Sequence, residues 1–315
     1  MSEYVPEGKR IFTRENQAAI NSESRLYDAV RDKTILEARA SLCDKSHNLC
    51  VELGCMRGII PREEGALGIR DGSVRDIAVI SRVNRPVCFT VQRIEINENG
   101  ESVAILSRAQ AQKMCLENYV SRLEKGDIIS ARVTHLENFG AFADIGCGIA
   151  ALLPIDMISV SRIEHPKERF AVGMDIKAVV RSVENGRISL SHKELLGTWE
   201  ENAAMFCAGE TVSGTVRSVE NYGAFVELSP NLAGLAESRE GVQAGQQASV
   251  FIKSIIPEKM KVKLIIIDAG RDASERDAVG RRPPRYFTDP KRVFHIDRWR
   301  YSPAACPRVI ETSFA

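Results

Sequence analysis

The sequence lacks a long apolar run, which excludes a membrane-spanning helix of ordinary length. It also lacks a charged start followed by an apolar stretch, so we expect no secretory leader and a cytoplasmic protein. Its eight cysteines include no Cys-x-x-Cys pair and no histidine at ligand spacing. Free thiols in a reducing compartment are therefore favoured over disulfides or zinc, and no metal or other cofactor is predicted.

The sequence has almost no net charge, because 43 Lys and Arg face 42 Asp and Glu. A basic surface would have to arise from how the charges are distributed rather than from their total. Several catalytic motifs are missing, namely a phosphate-binding Gly-Lys-Ser/Thr loop, His-Glu-x-x-His, Gly-x-Ser-x-Gly and a dense carboxylate cluster for two metals. We predict that the protein is not an enzyme.

An aromatic segment that occurs twice is the strongest feature present. Residues 138–146 read NFGAFADIG, and residues 221–228 read NYGAFVEL, with the rings 83 residues apart. The two-residue period of a strand puts the small and β-branched residues on the inner face and Phe142 and Phe225 on the outer face. Rings on the wet side of a strand can stack on a planar partner such as a nucleobase.

The motifs around both copies resemble a known family. Gly126-Asp127 recurs as Gly209-Glu210, and the first copy continues with Gly173-Met-Asp and Gly186-Arg-Ile-Ser-Leu-Ser. Together with Phe-Gly-Ala-Phe, this order is similar to the RNA-binding repeat of bacterial ribosomal protein S-one, which implies a five-stranded barrel of the oligonucleotide-binding class. The resemblance is specific over 126–193, looser over 209–268 and weak before residue 110.

The predicted fold class is mainly β, with tandem five-stranded OB-fold barrels joined by short helices and followed by an irregular basic C-terminal tail. The expected divisions are an N-terminal arm and helix (1–33), a divergent barrel (34–108), a linker helix (109–123), a clear barrel (124–193), a second linker helix (194–206), another clear barrel (207–269) and the tail (270–315). The divergent barrel has an extra predicted strand at 74–80 and no paired aromatics. The apolar residues of the tail, including Trp299 and Tyr301, predict docking on a folded module or on a partner.

The predicted RNA-binding residues are the rings and the cations expected on the same outer faces. In the second barrel they are Phe139, Phe142, Arg132, Lys177, Arg181 and Arg187, and in the third they are Tyr222, Phe225, Arg217, Lys253, Lys261 and Lys263. The resemblance implies RNA contacts for Phe139, Phe142 and Arg187, while the family's third-strand histidine is replaced by Pro154 and Glu237. Asp144 and Glu227 are expected to point outward as solubilising or ring-orienting groups.

These features predict non-catalytic binding of single-stranded RNA, in which bases stack, phosphates pair with cations and little base identity is read. The resemblance extends this to mRNA and to translation on the small ribosomal subunit, with attachment through the N-terminal module or the tail. Two alternatives stay open: a protein-interaction scaffold that uses the same rings, and an RNA chaperone or turnover accessory that is not ribosome-bound. No membrane partner is expected.

Overall fold

A computed structural model describes residues 4–184, 186–237, 239–272 and 284–314. Its strands form three closed five-stranded barrels and one two-stranded sheet, which confirms the predicted mainly β class of tandem barrels. The chain divides into two compact units. The first ends at Leu123 and also holds Asp144–Ala150, and the second begins at Glu124. None of the helices in the described ranges has the length and apolarity to cross a membrane.

The first barrel lies in the first unit. Its strands are β1 (Leu36–Cys43), β2 (Leu49–Glu52), β3 (Arg57–Ile60), β4 (Pro86–Ile96) and β5 (Ser102–Ser107). They close in the order β1, β2, β3, β5, β4, in which β3 and β5 are parallel and every other neighbouring pair is antiparallel. Leu49, Val51 and Phe89 are fully buried in its core.

Two helices precede the first barrel, where the sequence predicts an arm and one helix within 1–33. They are α1 (Arg14–Ile20) and α2 (Glu23–Asp32). Asn21 ends the first helix and Ser22 precedes the second, so the helical structure is interrupted between them. The arm that precedes α1 is attached to the first barrel over the part that the structure describes. The Glu37 carboxylate accepts hydrogen bonds from the backbone N–H groups of Gly8 and Arg10, which fixes the arm to β1.

The extra strand predicted at 74–80 is also wrong. This segment contains a one-turn helix, α3 (Ile77–Ile80), of which Val79 is fully buried while Ile77 is 64% exposed. The Asp76 carboxylate, at its start, lies 2.7 Å from the Arg62 guanidinium and 3.2 Å from the His47 ring. Of the β-branched residues that suggested a strand, Val79 thus points into the core and Ile77 lies at the surface.

The second barrel contains β6 (Ile128–Glu137), β7 (Gly140–Asp144), β8 (Ala150–Pro154), β9 (Asp175–Glu184) and β10 (Arg187–Ser191). They close in the order β10, β8, β7, β6, β9. Ala141, Ala143 and Ile145 are fully buried, as the two-residue period predicts. Small residues are required here, because a Cβ added to Gly140 would lie 2.5 Å from the Leu153 carbonyl oxygen of the adjacent strand.

The third barrel repeats this pattern with β11 (Thr211–Glu220), β12 (Gly223–Ser229), β13 (Leu232–Ala236), β14 (Gln246–Ile256) and β15 (Lys261–Asp272). Its order is β11, β12, β13, β15, β14, with β13 and β15 parallel. Gly223 has φ +149°, and an added Cβ would lie 2.3 Å from the Ala236 carbonyl oxygen. The glycine shared by both aromatic segments therefore allows close approach of two strands.

Helices occupy part of both predicted linkers. The first linker contains α4 (Arg108–Asn118), in which Ala111 and Cys115 are fully buried. The second was predicted as one helix over 194–206. It is instead a 3₁₀ turn (Lys193–Leu196) followed by α5 (Trp199–Ala203), and Gly197 separates them with φ +85°. Trp199 is buried in the core of the third barrel, so it packs rather than presenting its ring to solvent.

The C-terminal tail lies on the barrels of the second unit and includes the two-stranded sheet of β16 (Arg298–Arg300) and β17 (Glu311–Ser313). Trp299 and Tyr301 join the core cluster of the third barrel, and Phe314 packs with Ile128 and other core residues of the second. The predicted docking of the tail on a folded module is confirmed for residues 284–314. Residues 273–283, which carry part of the predicted basic segment, lie outside the described residues.

Candidate nucleic-acid interface

Two pairs of aromatic side chains are arranged alike on the second and third barrels. Phe139 and Phe142 stand edge to face with ring centroids 6.0 Å apart, and Tyr222 and Phe225 do so at 6.3 Å. The leading ring of each pair is the more exposed, at 56% for Phe139 and 67% for Tyr222. The following ring is half-buried on the outer face of its strand. The second and third barrels therefore each present one solvent-exposed ring that packs edge to face against a half-buried ring.

On the third barrel the strand register places cations beside the rings. Phe225 on β12 is opposite Leu235 on β13, which is opposite Lys263 on β15. Adjacent strands are about 4.8 Å apart, so Lys263 begins roughly 10 Å from Phe225. Lys261 lies two residues earlier on the same outer face, and Lys253 is the extra residue of a bulge opposite Lys263. All three lysines are exposed and free to meet phosphates.

The second barrel has the same arrangement with arginines. Ser189 on β10 is opposite Leu152 on β8 and Ser182 on β9. Arg187 lies two residues before Ser189, and Arg181 is the extra residue of the bulge beside it. Both are exposed, and they correspond in position to Lys261 and Lys253 of the third barrel. Arg181 and Arg187 thus hold the positions that Lys253 and Lys261 hold on the third barrel, and their contact with RNA stays a prediction.

Two other cations predicted for the second barrel lie farther along it. The Lys177 Nζ donates to the Ser130 hydroxyl at 2.9 Å, and the Lys177 N–H donates to the Tyr286 hydroxyl at 2.8 Å. Ser130 is four residues before Thr134, whose hydroxyl donates to the Phe142 carbonyl oxygen at 3.2 Å. At about 3.3 Å per residue, Lys177 lies roughly 13 Å from the ring level, beside the tail. Arg132 is half-buried opposite Asp175, between these two levels.

Arg217 does not lie free on the third barrel's surface. Its guanidinium donates to Glu227 at 2.7 Å and also pairs with Glu168 of the second barrel. Arg169 donates to the same Glu227 oxygen at 2.6 Å. Although burial alone would raise the pKa of Glu168, Arg217 holds it below its ordinary value. Arg217 therefore ties two barrels together, and its predicted place on the RNA surface is corrected.

The two carboxylates expected to point to solvent are buried, so that expectation is wrong. Glu227 is 7% exposed and accepts from the two arginines just described. Asp144 is 3% exposed and accepts from the backbone N–H groups of Glu7, Gly146 and Gly148 at 2.7 to 3.0 Å. Burial, and then the nearby Glu7 carboxylate, raise the pKa of Asp144 to about 7. Both carboxylates therefore hold neighbouring segments together through buried hydrogen bonds rather than facing solvent.

The first barrel offers no matching ring pair at the corresponding strand. Leu49 and Cys50 are buried on β2, and the His47 ring pairs with Asp76. Phe89 is fully buried in the core. A docking or structural role for this barrel, rather than base stacking, stays a prediction.

Metal and thiol chemistry add no site. Within the described ranges, no group of three or more His, Cys, Asp and Glu side chains could hold a metal ion. The eight cysteines are free, and burial first of all raises the pKa of Cys88 well above its ordinary value. The prediction that no cofactor is needed stays a prediction.

Comparison with known proteins decides the family. Residues 122–193 match the family model described as S1 RNA binding domain. A curated relative, small ribosomal subunit protein bS1 of Staphylococcus epidermidis, is 30% identical over 279 residues, which cover 82% of this chain and 68% of the relative. The chain belongs to the bS1 family. This confirms the resemblance drawn from the aromatic segments and their flanking motifs.

Other members of the bS1 family give similar alignments. The bS1 protein of Staphylococcus aureus is 29% identical over 277 residues, covering 82% of this chain and 68% of the relative. That of Leuconostoc lactis is 31% identical over 234 residues, covering 69% and 52%. These relatives are named as ribosomal proteins, so they supply no catalytic role, and the prediction of a non-enzyme stays a prediction.

Solved structures resemble parts of this bS1-family chain only loosely. A multidomain protein with nucleic acid binding domains from Streptococcus pneumoniae covers 75% of this chain and 73% of its own, with 12% identity and a TM-score of 0.24. GSP13 from Bacillus subtilis covers 22% of this chain and 55% of its own, with 28% identity and a TM-score of 0.21.

Sequence reasoning missed the contact between the second and third barrels of this chain. The segment between β8 and β9 at 157–172, here called the 157–172 arm, carries Glu168 and Arg169 onto the third barrel. The third barrel is 11 residues shorter in the corresponding loop. That length difference was the only available signal, and it did not reveal where the longer loop lies.

Proposed function

We propose that this protein binds single-stranded RNA non-catalytically through its second and third barrels, in translation on the small ribosomal subunit. The observation that carries the proposal is the repeated edge-to-face ring pair, Phe139 with Phe142 and Tyr222 with Phe225. Exposed cations accompany the pair on the third barrel, and Arg181 and Arg187 hold the corresponding positions on the second. The match of residues 122–193 to the S1 RNA binding domain supports the same reading.

The ring pairs support single strands rather than duplexes. A ring half-buried on a strand and a second ring standing against it can receive an unstacked base, and each such contact contributes about 1–3 kcal/mol regardless of base identity. The surrounding lysines and arginines hold phosphates without reading sequence. The substrate class is therefore single-stranded RNA of broad sequence, and mRNA is the source that fits translation.

Attachment to the small subunit is proposed from the names of the relatives, which are small ribosomal subunit proteins. We assign attachment to the first barrel, which lacks rings at the corresponding strand. The tail was the other candidate, but Trp299, Tyr301 and Phe314 are buried against the chain's own barrels. The cytoplasmic location expected from sequence accords with such a role.

Two measurements test this function. RNA affinity should fall steeply as salt rises, because each phosphate contact releases counterions. The protein should also co-sediment with small ribosomal subunits, and a Phe142→Ala/Phe225→Ala variant should still do so if attachment is through the first barrel. RNA binding without co-sedimentation would favour a chaperone or turnover accessory, and salt-insensitive binding to a protein instead would favour a scaffold.

A further inference from the structure

The 157–172 arm of the second barrel is fixed to the third barrel at both ends. Near its start, the Val160 N–H donates to the Asn231 side-chain oxygen and the Ser161 N–H donates to the Pro230 carbonyl oxygen, both at 3.0 Å. Near its end, Arg169 contacts Glu227 at 2.6 Å. The arm therefore follows the outer side of β12, the strand that carries Phe225.

The charges that anchor the arm cancel one another. Arg169 and Arg217 face Glu168 and Glu227, and no side chain of the four is more than 26% exposed. They hold the arm in place but offer no free positive charge. Lys167, the residue before Glu168, is exposed and has no ion-pair partner within 4 Å among the described residues.

Lys167 lies at the ring end of the arm. Its neighbour Glu168 contacts Arg217, whose flanking residue Ser218 is opposite Phe225. Glu227, the acid held by Arg169, is two residues from Phe225 on the same strand, a separation of about 7 Å. A lysine side chain starting one residue from this contact can reach a phosphate of a nucleotide stacked on the Phe225 surface.

Arg162 provides a contrast on the same arm. It is also exposed, but it follows Ser161, which is fixed at Pro230 and close to Ser229. Ser229 is four residues along β12 from Phe225, or about 13 Å. The arm thus presents one exposed cation at the rings and one away from them.

We propose that the 157–172 arm completes the RNA-binding surface of the third barrel, with Lys167 contacting a phosphate of the strand that stacks on Tyr222 and Phe225. This rests on the proposed binding of single-stranded RNA. Arg217 is neutralised by Glu168 and Glu227 and offers no free charge. Lys167 of the second barrel thereby supplies the missing cation to the third. One strand then meets residues of both barrels at a single site.

The test places Lys167→Ala in two backgrounds of the full chain. The probe is an oligouridylate of about 12 nucleotides, within the length range of such barrels. In Phe142→Ala, where binding depends on the third barrel, Lys167→Ala should lower affinity about three- to tenfold and reduce the salt slope by about 0.7. In Phe225→Ala, where binding depends on the second barrel, it should change neither.

Two control variants separate charge from packing. Lys167→Arg keeps the charge and should keep the affinity, and Arg162→Ala should change affinity less than twofold in either background. Equal effects of Lys167→Ala in both backgrounds, or no effect in either, would overturn the inference while leaving RNA binding by the barrels intact. So would loss of all binding in Phe142→Ala alone. A parent protein that binds no RNA would overturn the proposed function itself.

Discussion

Arg169 of the second barrel contacts Glu227 of the third at 2.6 Å, and both side chains are less than a tenth exposed. A buried charge is costly without a partner, so this pair and its neighbour Arg217 make the two barrels dependent on each other. Asn231 adds uncharged contacts, because its side-chain N–H groups donate to the Lys193 and Gly197 carbonyl oxygens at 2.8 Å. The second and third barrels should unfold together.

Glu227→Gln should destabilise both barrels. It leaves Arg169 and Arg217 without their shared counter-charge, at a cost of about 3 kcal/mol. Urea unfolding followed by tryptophan fluorescence reports this through Trp199 and Trp299, which lie in the core of the third barrel. Asp268→Asn, at an exposed acid on β15, is the control and should stay within about 0.5 kcal/mol of the parent. Equal stability of the two variants would contradict the coupling.

Acid should destabilise the second unit through His192. Burial lowers the pKa of this ring to about 4, its Nδ1 lies 3.0 Å from the Ile158 carbonyl oxygen, and its buried Nε2 has no hydrogen-bond partner. The folded state therefore binds fewer protons than the unfolded state between pH 4 and 6.5, so stability is lost as pH falls through this window. Between pH 7.5 and 5 the loss should be about 2 kcal/mol.

The comparison that isolates this effect uses His192→Asn. Asparagine can still donate to Ile158 but does not titrate in this range. The variant should be less stable than the parent at pH 7.5 and should show a pH dependence flatter by about 2 kcal/mol between pH 7.5 and 5. Parallel curves for the two proteins would show that His192 does not carry the acid sensitivity.

The tail should contribute stability through its buried aromatic residues. Trp299 is 8% exposed within the core of the third barrel, so Trp299→Ala should cost about 3 kcal/mol. Phe294, in the same tail, is 67% exposed, and Phe294→Ala should cost less than about 0.5 kcal/mol. Thermal unfolding of the two variants measures both. A tail that merely rests on the barrels would give small, equal shifts.

The pairing of the tail with β6 should be visible in one histidine. The His295 ring lies 2.8 Å from Asp127, and the hydrogen bond to Asp127 raises the pKa of His295 above its ordinary value. A raised folded pKa means that this contribution is present below about pH 6.5 and is lost as pH rises through the folded pKa. NMR titration should show the His295 pKa falling in Asp127→Asn. An unchanged value would mean that the tail does not hold this position in solution.

Local periodicity predicted the barrels and the rings well. Alternation along β7 and β12 identifies Ala141 and Val226 as core and Phe142 and Phe225 as outward, because the period of a strand depends only on neighbouring residues. The exposed cations Arg187 and Lys261 follow from the same rule. Glycine in the aromatic segments marks close strand approach, and this too is a local signal.

The predictions that proved wrong for two side chains concern residues whose partners are distant in the sequence. Asp144 is buried because the backbone of Glu7, 137 residues away, donates to it, and Arg217 is neutralised by Glu168, 49 residues away. No spacing rule links such residues. The strand predicted at 74–80 was wrong for a different reason: a β-branched run suits a strand, but here Val79 is buried in the core and Val74 packs against it from a turn and a short helix.

The affinity of a Phe142→Ala/Phe225→Ala variant for oligouridylate tests the central claim most directly. The matched control is Phe12→Ala/Phe294→Ala, which removes two rings that are 85% and 67% exposed and lie outside the two aromatic faces. The account predicts a loss of at least about fivefold for each barrel ring removed, near-parental affinity in the control, and folded protein in both. Equal RNA affinity of the barrel variant and its control would contradict it.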